Sequence, residues 1–520
     1  MNIYLYGPPG SGKSTIGQTL ADYLNIPFYD LDLEIERTYT KSITEIFQIE
    51  GEASFREYEH TKLLELINKP ECIISLGGGA LLDRELRILV EASGPIICLN
   101  APLPELVKRL ERVNNNRPLL SGNLPMHLEN LLENRAAHYA TFQRQVNTGH
   151  LESNELAWNI LINLGRFHIH GMGNGYDVLV KPDGLEDIGE MFVERNITGT
   201  IGLVSDSNVS RLYADRTSQA LSESGLSCQT FTLPAGEGNK TLASTTTLWE
   251  AFINAGLDRN SVMVALGGGV VSDLVGFASA TYMRGVRWVI LPTSLLGMVD
   301  ACLGGKTGID LPQGKNLIGA FYSPSLVVVD PNVLRTLPET ELVNGLAEVI
   351  KHGVIGDPEL FHLLSKNREP NNERKLLTEW EEIVKRSMAV KIKYILEDPY
   401  EKNVRAVLNY GHTIGHAVEW ASGYRIKHGE AVAIGMVAEA NLAERIGLSE
   451  PGLSEKIGAT LLAARLPIAI PTWIDKQAIL QGIRKDKKRK AGKVYFALPV
   501  QIGEVRPGIE LEENEIWPIL

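Results

Sequence analysis

The sequence has few of the features that mark exported or membrane-bound proteins. Only four cysteines occur in 520 residues, and no two of them form a Cys-x-x-Cys pair. This pattern indicates neither a disulfide framework nor a thiolate zinc site, so we expect free thiols in a reducing cytoplasm. No stretch approaches about 18 uninterrupted apolar residues, and no basic segment followed by an apolar core opens the chain. We therefore expect neither a membrane span nor an export signal.

Positive charge is not in excess either. The 51 Lys and Arg residues against 63 Asp and Glu give a formal net charge of −12. This balance disfavours nucleic acid or an anionic membrane as the main partner, and it predicts that basic residues are concentrated at local sites. The composition, with 44% hydrophobic and 22% charged residues, is that of a globular protein. The length predicts about two to four domains.

The first chemical motif is a glycine-rich loop between an apolar strand and a helix. The β-prone residues 3–6 lead into Gly-Pro-Pro-Gly-Ser-Gly-Lys-Ser-Thr at 7–15, and helical periodicity follows over 16–24. In such a loop the backbone amides and the helix N-terminus hold a triphosphate, Lys13 neutralises its β and γ oxygens, and Ser14 ligates Mg²⁺. The predicted ATP-binding residues are Gly10, Ser11, Gly12, Lys13, Ser14 and Thr15.

Motifs further along offer side chains for a phosphoryl acceptor. Asp30 and Asp32 follow a predicted strand one residue apart, so we expect both side chains to point the same way. One would serve magnesium and the other the accepting hydroxyl, or the pair caps the helix that begins at Leu33. The glycine run 77–79 follows another apolar strand and allows a ligand close to the backbone. Arg117 stands in an Asn-rich loop that can close over phosphates.

Taken in order, these motifs resemble those of the shikimate kinases over residues 1–165. The shared elements are the phosphate loop, Asp-x-Asp, Phe-Arg-x-x-Glu, Gly-Gly-Gly, Arg-Pro-Leu-Leu, and a late Arg followed four residues on by Tyr. The resemblance implies a P-loop kinase of the nucleoside-monophosphate-kinase type that phosphorylates the 3-hydroxyl of shikimate with Mg-ATP. Ala137 departs from the family, which has proline there.

The same resemblance implies roles for individual residues of this part. Asp32 would orient or deprotonate the shikimate hydroxyl, while Lys13 and Arg117 would stabilise the transferring phosphoryl group. The residues implied to hold shikimate are Asp32, Arg56, Gly78 and Arg135.

A second concentration of chemistry lies in residues 405–430. His412 and His416 are four residues apart in a helical segment, which places both imidazoles on one face, and His428 follows. Two imidazoles together with Glu348 make the ligand set of a catalytic zinc with an open position. Histidine pairs at this spacing also occur on polar surfaces, but nearby donors favour a site for an anionic, oxygen-rich substrate. These donors are Lys351, Lys391, Arg405 and Asn409.

Residues 166–337 alternate predicted strands and helices, which is typical of an α/β domain. The apolar strand 261–266 leads into Gly-Gly-Gly-Val at 267–270 and then a helix. A glycine turn at this place suits a pyrophosphate, although a plain tight turn gives the same pattern. Lys306 and Lys315 on glycine-rich turns would bind phosphate or ribose, or lie in solvent. From about residue 338 the pattern is helical.

Together these features resemble the 3-dehydroquinate synthases over residues 167–520. The shared elements are Gly-Gly-Gly-Val, Tyr-x-Arg-Gly, Pro-Thr-Ser-Leu-Leu, Val-Asp-Ala, Gly-Gly-Lys-Thr, Gly-Lys-Asn, Ala-Glu-Val-Ile-Lys, Arg-x-x-Leu-Asn-x-Gly-His-Thr-x-Gly-His and His-Gly-Glu-Ala-Val. The resemblance implies three domains: the kinase-like domain 1–165, a Rossmann-like NAD-binding domain 166–337, and an all-helical metal- and substrate-binding domain 338–520. It further implies that NAD⁺ oxidises a hydroxyl of heptulosonate 7-phosphate, that phosphate is then eliminated, and that NADH returns the hydride, so that there is no net redox change.

The second resemblance also assigns residues. NAD would contact Glu237, Lys240, Gly269, Val270, Asp273, Thr293, Ser294, Lys306 and Lys315. Zinc or cobalt would be held by Glu348, His412 and His428, with His416 as a candidate proton relay. The substrate phosphate would contact Arg284, Lys306, Asn316, Asn409 and Lys488. The substrate carboxylate and hydroxyls would contact Asp300, Lys351, Lys391 and Arg405, of which the last three would also act in catalysis. Arg284 would come from a partner subunit, which implies a homodimer.

Other functions fit parts of this pattern. Another sugar-phosphate cyclase would share NAD and the metal but act on a substrate without the carboxylate, which the donors Lys391 and Arg405 disfavour. A metal-dependent alcohol dehydrogenase would leave a net redox product. A non-enzymatic nucleotide-binding scaffold is disfavoured because the phosphate-loop lysine and the metal-ligand set are both present. We therefore expect a bifunctional enzyme of the shikimate pathway to chorismate that acts on small molecules.

Overall fold

A computed structural model describes residues 1–112, 123–149, 152–366, 373–487 and 494–520 of the chain. Arg117 and Lys488, which were assigned phosphate contacts above, lie outside the described residues. The chain divides into two compact units, Met1–His168 and Ile169–Leu520. Among the helices of the described ranges, none has both the length and the apolar character that crossing a bilayer requires.

A parallel sheet forms the centre of the first unit. Its strands are β1 (Ile3–Tyr6), β2 (Phe28–Asp30), β3 (Ile73–Ser75), β4 (Ile96–Asn100) and β5 (Arg144–Asn147). The helices are α1 (Lys13–Leu24), α2 (Leu31–Tyr39), α3 (Ile43–Ile49), α4 (Gly51–Ile67), α5 (Arg84–Ser93), α6 (Leu103–Arg112), α7 (Leu124–Tyr139) and α8 (Ser153–Leu164). The strand order is β2-β3-β1-β4-β5, and all neighbours are parallel. The carboxyl ends of the strands therefore share one edge.

Local sequence explains where these elements begin and end. All four residues of β1 are buried, because a central strand of a parallel sheet is covered on both faces. Helix α1 begins at Lys13 directly after Gly12, whose φ of 91° is a left-handed conformation that favours glycine. Helix α8 ends at Gly165, whose φ of 62° is a left-handed conformation that favours glycine.

The second unit contains a larger sheet and most of the helices. Its strands are β6 (Arg166–Ile169), which contains the division between the units, β7 (Tyr176–Val180), β8 (Ile201–Asp206), β9 (Cys228–Leu233), β10 (Val262–Gly267), β11 (Trp288–Pro292), β12 (Lys306–Leu311), β13 (Gly314–Phe321), β14 (Leu326–Val329), β15 (Val494–Gln501) and β16 (Glu504–Leu511). The helices are α9 (Ile188–Glu194), α10 (Ser210–Glu223), α11 (Leu242–Asn254), α12 (Gly269–Thr281), α13 (Glu339–Gly356), α14 (Pro358–Lys366), α15 (Glu373–Glu397), α16 (His412–Ala421), α17 (His428–Arg445), α18 (Leu453–Ala463), α19 (Lys476–Lys487) and α20 (Glu513–Ile516).

The sheet of the second unit has seven strands in the order β6-β7-β14-β11-β10-β8-β9. The pairings from β7 through β9 are parallel, and β10, an interior strand, is wholly buried. This arrangement confirms the predicted α/β fold. Strands β12 and β13 form a separate antiparallel hairpin, so Lys306 and Lys315 stand at the beginnings of strands and not on the glycine-rich turns expected from the sequence.

Helices dominate the chain after β14, as predicted. Apolar side chains of α13, α16, α17 and α18 form the core of this region. Helices α16 and α17 lie so close that a Cβ added to Gly435 would be 2.0 Å from the carbonyl oxygen of Gly411. The region also contains the antiparallel hairpin of β15 and β16, an element beyond the predicted all-helical composition. The close approach of Gly435 to Gly411 fixes the beginning of α16 against the middle of α17.

Candidate active sites

The phosphate loop of the first unit is folded around its own lysine. Lys13 Nζ donates to the carbonyl oxygens of Gly7 and Pro8 at 2.9 and 3.0 Å. Ser14 Oγ donates to Asp30 Oδ2 at 2.5 Å, so the predicted magnesium ligand lies against a carboxylate. The predicted ATP-binding residues 10–15 thus form one continuous loop and helix start at the carboxyl end of β1. Such a start suits a bound phosphate.

The Asp-x-Asp motif does not adopt the extended geometry expected from the sequence. Asp30 ends β2, and its Oδ1 accepts the backbone N–H groups of Asp32 and Leu33 at 3.1 and 3.4 Å. It therefore caps α2, which was the alternative interpretation of the pair. Asp32 lies in the first helical turn, so the expectation that both carboxylates point the same way from a strand was wrong. Helix capping by a short polar side chain overrides the strand pattern here.

A cavity of about 420 Å³ in the first unit is lined by Arg56 and Arg135, two of the four residues assigned to shikimate, whereas Asp32 and Gly78 are not among its lining residues. Arg135 Nη1 donates to the carbonyl oxygen of Gly78 at 2.8 Å. A Cβ added to Gly79 would lie 3.0 Å from Arg56 Nη2 and 3.3 Å from Arg135 Nη2, so two guanidinium groups converge on this glycine. A side chain at this position would reduce the space between them. The arrangement suits an anionic ligand.

Glu59 lines this cavity and is the last residue of the Phe-Arg-x-x-Glu motif, to which the sequence analysis gave no role of its own. Its Oε2 accepts Arg56 Nη1 at 2.6 Å, while its buried Oε1 has no hydrogen-bond partner among the described residues. Burial raises the pKa of Glu59 to about 6, although Arg56 lowers it. The carboxylate therefore both orients a guanidinium group and offers an acceptor to a ligand hydroxyl. Its spacing three residues after Arg56 on a helix was the signal in the sequence.

In the second unit, Glu348, His412 and His428 converge as the sequence predicts. Each offers one ligand atom, and the three atoms lie within 4.8 Å of one another. The Nε2 atoms of His412 and His428 are 3.5 and 3.6 Å from Glu348 Oε1. Two imidazole nitrogens and a carboxylate oxygen at these separations fit a tetrahedral Zn²⁺ or a related ion, with a position left open.

Three helices place these side chains. Glu348 is buried in α13, and His412 and His428 are the first residues of α16 and α17. The start of α16 has no capping side chain of its own. Instead, the fully buried Glu439 of α17 accepts the backbone N–H groups of Gly411 and Ile414 at 2.6 and 3.0 Å. The carboxyl group that fixes the first turn of α16 therefore comes from the helix that carries His428.

Neighbouring charges decide which of the three proposed metal ligands are ionised. Burial opposes ionisation of Glu348, but Lys351 and His412 outweigh it and hold the pKa of Glu348 well below its usual range. Burial and Lys351 lower the pKa of His412 well below its usual range, so this imidazole is neutral, as a metal ligand must be. For His428, burial is outweighed by hydrogen bonds to Glu348 and Glu419, which raise the pKa to about 9, so this imidazole must release a proton when it binds a metal ion.

Glu419 is a further residue that the sequence analysis missed. Its Oε2 lies 3.5 Å from His428 Nδ1, and its Oε1 accepts Lys315 Nζ at 3.1 Å. Burial opposes its ionisation, but His428 and Lys315 prevail and lower the pKa of Glu419 to about 2. It stands seven residues after His412, which places it on the same face of α16. That spacing was the available signal.

Residues assigned to the substrate carboxylate and hydroxyls adjoin the metal group. The ammonium group of Lys391 pairs with the Asp300 carboxylate and donates to the Asp300 carbonyl oxygen at 2.8 Å. Carboxylate atoms of Asp300 and Glu348 belong to one cluster of ligand atoms within 4.8 Å, and Lys351 pairs with Glu348. Arg405 is buried and donates through Nη1 to the carbonyl oxygen of Pro399 at 2.8 Å.

The candidate proton relay lies at the mouth of the same site. His416 is exposed, and its ring centre is 5.0 Å from that of His412 and 5.9 Å from that of His428. Asn409, also exposed, ends the turn that precedes α16. Both positions face solvent in part, as groups that exchange protons or contact an entering ligand must.

Most of the residues assigned to NAD lie at the carboxyl edge of the large sheet. Gly267 of β10 pairs with Pro292 of β11, so the segments with Gly269 and Val270 and with Thr293 and Ser294 are neighbours. Lys240 is buried, forms an ion pair with Asp273 and donates to Asn316 Oδ1 at 2.5 Å. Burial raises the pKa of Asp273 to about 6 despite Lys240. Asn316, which was assigned above to the substrate phosphate, therefore contacts Lys240, a residue assigned to NAD.

Two other residues assigned to the substrate phosphate are less buried. Arg284 is exposed and has a left-handed φ of 67° at the end of a short 3₁₀ turn. Lys306 is also exposed and pairs with the carboxylate of Glu401. Lys315 is within 4.0 Å of Glu237, another residue assigned to NAD. The hairpin of β12 and β13 thus carries three of the assigned polar side chains.

The fold and the sites define two classes of enzyme in one chain. The first unit is a P-loop kinase, which contains a phosphate loop and a pocket lined by Arg56 and Arg135. The second unit combines a Rossmann-like sheet that carries a glycine turn with a helical region that carries a group of metal-ligand type. Two different reactions are therefore expected of separate parts of the chain.

Comparisons with known proteins identify these classes. Residues 9–164 match the profile described as shikimate kinase. Residues 230–344 and 345–489 match the profiles described as 3-dehydroquinate synthase N-terminal and C-terminal. The 3-dehydroquinate synthase of Synechocystis is 46% identical over 332 residues, which cover 64% of this chain and 92% of the relative. That of Nostoc punctiforme is 43% identical over 347 residues, covering 66% and 96%.

Solved structures of related enzymes are similar at lower identity. A 2-deoxy-scyllo-inosose synthase complexed with carbaglucose-6-phosphate, NAD⁺ and Co²⁺ is 25% identical with a TM-score of 0.60, and the match covers 68% of this chain and 98% of that one. The 2-epi-5-epi-valiolone synthase ValA of Streptomyces hygroscopicus, with NAD⁺ and Zn²⁺ bound, is 27% identical with a TM-score of 0.60, covering 66% and 95%.

The chain belongs to the 3-dehydroquinate synthase family, with a shikimate kinase domain fused ahead of the synthase. It is a bifunctional enzyme of the shikimate pathway: the N-terminal part phosphorylates shikimate, and the C-terminal part makes 3-dehydroquinate. Both resemblances drawn from the motifs are thereby confirmed.

Proposed function

We propose that the synthase reaction uses NAD and a Zn²⁺ or Co²⁺ ion held by Glu348, His412 and His428. The observation that carries this proposal is the convergence of the three ligand atoms within 4.8 Å. The related cyclases bind NAD⁺ together with Co²⁺ or Zn²⁺, which supports the same pair of cofactors here. A metal ion in this position would supply a Lewis acid for the oxygen atoms of the substrate.

The surrounding side chains then hold and orient the substrate. Lys351 and Lys391 form ion pairs with the carboxylates of Glu348 and Asp300. An anionic ligand could therefore replace either carboxylate as the partner of the lysine without a change of fold. Arg405 adds a guanidinium group that is already oriented by its hydrogen bond to the carbonyl oxygen of Pro399. The exposed His416 is placed to exchange protons with solvent. We assign the substrate carboxylate and hydroxyls to Asp300, Lys351, Lys391 and Arg405.

Phosphate recognition involves more dispersed residues. We propose Arg284, Lys306, Asn316, Asn409 and Lys488 for the substrate phosphate. Lys306 forms an ion pair with Glu401, and a bound phosphate would replace this carboxylate. NAD is assigned to Glu237, Lys240, Gly269, Val270, Asp273, Thr293, Ser294, Lys306 and Lys315. The neighbouring ends of β10 and β11 support that assignment.

In the kinase part, we propose that residues 10–15 bind Mg-ATP, with Ser14 on the metal ion. Asp32, Arg56, Gly78 and Arg135 would hold shikimate, and the cavity of about 420 Å³ lined by Arg56 and Arg135 supports the assignment of these two. Lys13 would leave the carbonyl oxygens of Gly7 and Pro8 for the β and γ phosphates. Arg117 completes the proposed catalytic set.

Assembly and location extend the proposal. We propose a homodimer through the synthase part, supported by the exposed position of Arg284, which the resemblance assigns to a partner's active site. All four cysteines are free thiols, which supports a cytoplasmic location. We also propose a boundary between NAD-binding and helical parts near residue 338, and the change of family profile at residues 344 and 345 supports it.

The test is a pair of assays on the purified full chain, with Glu348→Gln and Lys13→Met as variants. The first assay follows shikimate-dependent ATP use, and the second follows phosphate release from the heptulosonate with NAD and added Zn²⁺. We expect E348Q to lose phosphate release and Zn²⁺ binding while keeping kinase activity, and K13M to show the reverse. An E348Q variant that still bound one Zn²⁺ as tightly as wild type would overturn the metal assignment.

A further inference from the structure

We propose that Glu419 is a positioning residue that orients His428 for the metal ion and, through Lys315, links the metal site to the hairpin of β12 and β13. The inference rests on the proposed metal site and goes beyond it, because Glu419 is neither a proposed ligand nor a proposed substrate contact. Its two carboxylate oxygens lie near two different functional groups.

The first link acts on the ligand itself. Glu419 Oε2 is 3.5 Å from His428 Nδ1, while His428 Nε2 is the atom that faces Glu348 Oε1 at 3.6 Å. A carboxylate beside Nδ1 keeps the proton on that nitrogen and leaves Nε2 free to bind a metal ion. The side chain of His428 is about a third exposed, so burial alone does not fix its ring. Acceptors in this position commonly change metal affinity 10- to 100-fold.

The second link holds the carboxylate. Lys315 Nζ donates to Glu419 Oε1 at 3.1 Å and lies 4.0 Å from Glu237 Oε1. The ammonium group also lies 5.0 Å from the ring centre of Tyr424, just after α16. One lysine of the hairpin is thus tied to the helix that carries His412. Glu419 is itself largely buried, with a side-chain exposure of 10%, so its position is well defined.

These two links predict that Lys315 influences metal binding without touching the metal ion. Removal of Lys315 frees the Glu419 carboxylate to turn away from His428, so the affinity for a metal ion falls. Once Glu419 is gone, Lys315 has no path to His428 and its removal has no further effect. Such non-additivity distinguishes a linked pair from two residues that act independently.

The experiment measures Co²⁺ binding to the metal-free full chain by the visible absorption of bound Co²⁺, in the absence of substrate and NAD. The variants are E419Q, E419A, K315M and the double variant E419A/K315M. Glu382→Gln is the matched control, because Glu382 also lies on a helix of the second unit and pairs with a cation, Arg386. Thermal unfolding of each metal-free variant shows whether the fold is retained.

We expect the Kd for Co²⁺ to rise about 10- to 100-fold in E419A. The rise should be smaller in E419Q, whose amide oxygen still accepts a hydrogen bond, and in K315M. We expect E419A/K315M to match E419A and E382Q to match wild type. A Kd for both E419A and E419Q within twofold of wild type would refute the inference, as would a K315M effect that persists at full size in the E419A background.

The same titration separates this inference from the metal assignment on which it rests. If wild type binds no Co²⁺, or if H428A binds it as tightly as wild type, the proposed ligand set is wrong. If wild type binds one Co²⁺ and H428A does not, the ligand set stands and the Glu419 variants alone decide the inference. Should E419A fail to fold, the near-isosteric E419Q and K315M carry the test.

Discussion

Replacement of Glu439 tests how the fold builds the metal site. This carboxyl group is fully buried and accepts the N–H groups of Gly411 and Ile414 at the start of α16. Leucine at this position would leave both donors buried without an acceptor. An unsatisfied buried donor costs about 1–3 kcal/mol, so we expect E439L to lose about 2–6 kcal/mol in the free energy of unfolding of the synthase part. Glutamine retains one acceptor, and we expect E439Q to lose about half as much.

The pH dependence sharpens this prediction. Burial raises the pKa of Glu439 to about 8, although the backbone N–H groups at the start of α16 lower it. A carboxyl group whose pKa is higher in the folded state than in the unfolded state contributes stability that is fully present below the unfolded pKa, about 4.3. That contribution is lost as the pH rises through about 8. The stability advantage of wild type over E439Q should therefore shrink between about pH 5 and pH 8, by at most about 1.4 kcal/mol per pH unit.

Urea unfolding of the metal-free chain, followed by circular dichroism at several pH values, measures these differences. The kinase and synthase parts are separate units, so the transitions must be assigned, and addition of shikimate with ATP marks the kinase transition by shifting it. Glu444→Leu is a control on the same helix, because Glu444 accepts the backbone N–H of one residue, Ser454, among the described parts of the chain. E439L within about 1 kcal/mol of wild type would refute the capping argument. An advantage over E439Q that grows with pH would refute the raised pKa of Glu439.

Three further predictions concern the two activities. Arg56→Met should raise the KM for shikimate by about tenfold or more and leave the KM for ATP unchanged, since a charge-assisted contact is removed only from the acceptor pocket. Equal changes in both constants would contradict this prediction, as would the same effect in the exposed control Arg37→Met. Removal of zinc with a selective chelator, in excess Mg²⁺, should abolish phosphate release but not shikimate-dependent ATP use. Added Zn²⁺ should restore phosphate release. Loss of both activities would count against separate metal requirements. Cleavage of the chain near Gly165 should leave both activities and the combined flux unchanged, because the two reactions are not consecutive steps; altered flux with both halves active would show direct coupling.

Sequence patterns sufficed for the elements whose causes are local. The buried strands β1 and β10 were recognisable because each is a short apolar run bounded by glycine, and the phosphate loop follows from the spacing of its glycines and Lys13. The end of α8 at Gly165 likewise depends on the backbone freedom of one residue. The spacing of His412 and His416 fixed a shared helical face. Each of these properties is set by residues within a few positions of one another.

Contacts between distant segments could not be derived in this way. Periodicity shows which face of a helix Glu419 and Glu439 occupy, but not that one meets His428 and Lys315 or that the other caps a different helix. The error over Asp32 had a local cause instead, because Asp30 accepts the backbone N–H of Asp32 two residues on and so begins a helix where the strand pattern was extended.

The sequence by itself therefore determined which chemical groups the protein has and which elements carry them: a phosphate loop, a glycine turn after a buried strand, and imidazoles on one helical face. The tertiary structure decided which groups meet, because Glu348 and His412 are brought together by packing of α13, α16 and α17. It also decided their charge states, since burial and neighbouring ions move pKa values in directions that no local pattern encodes.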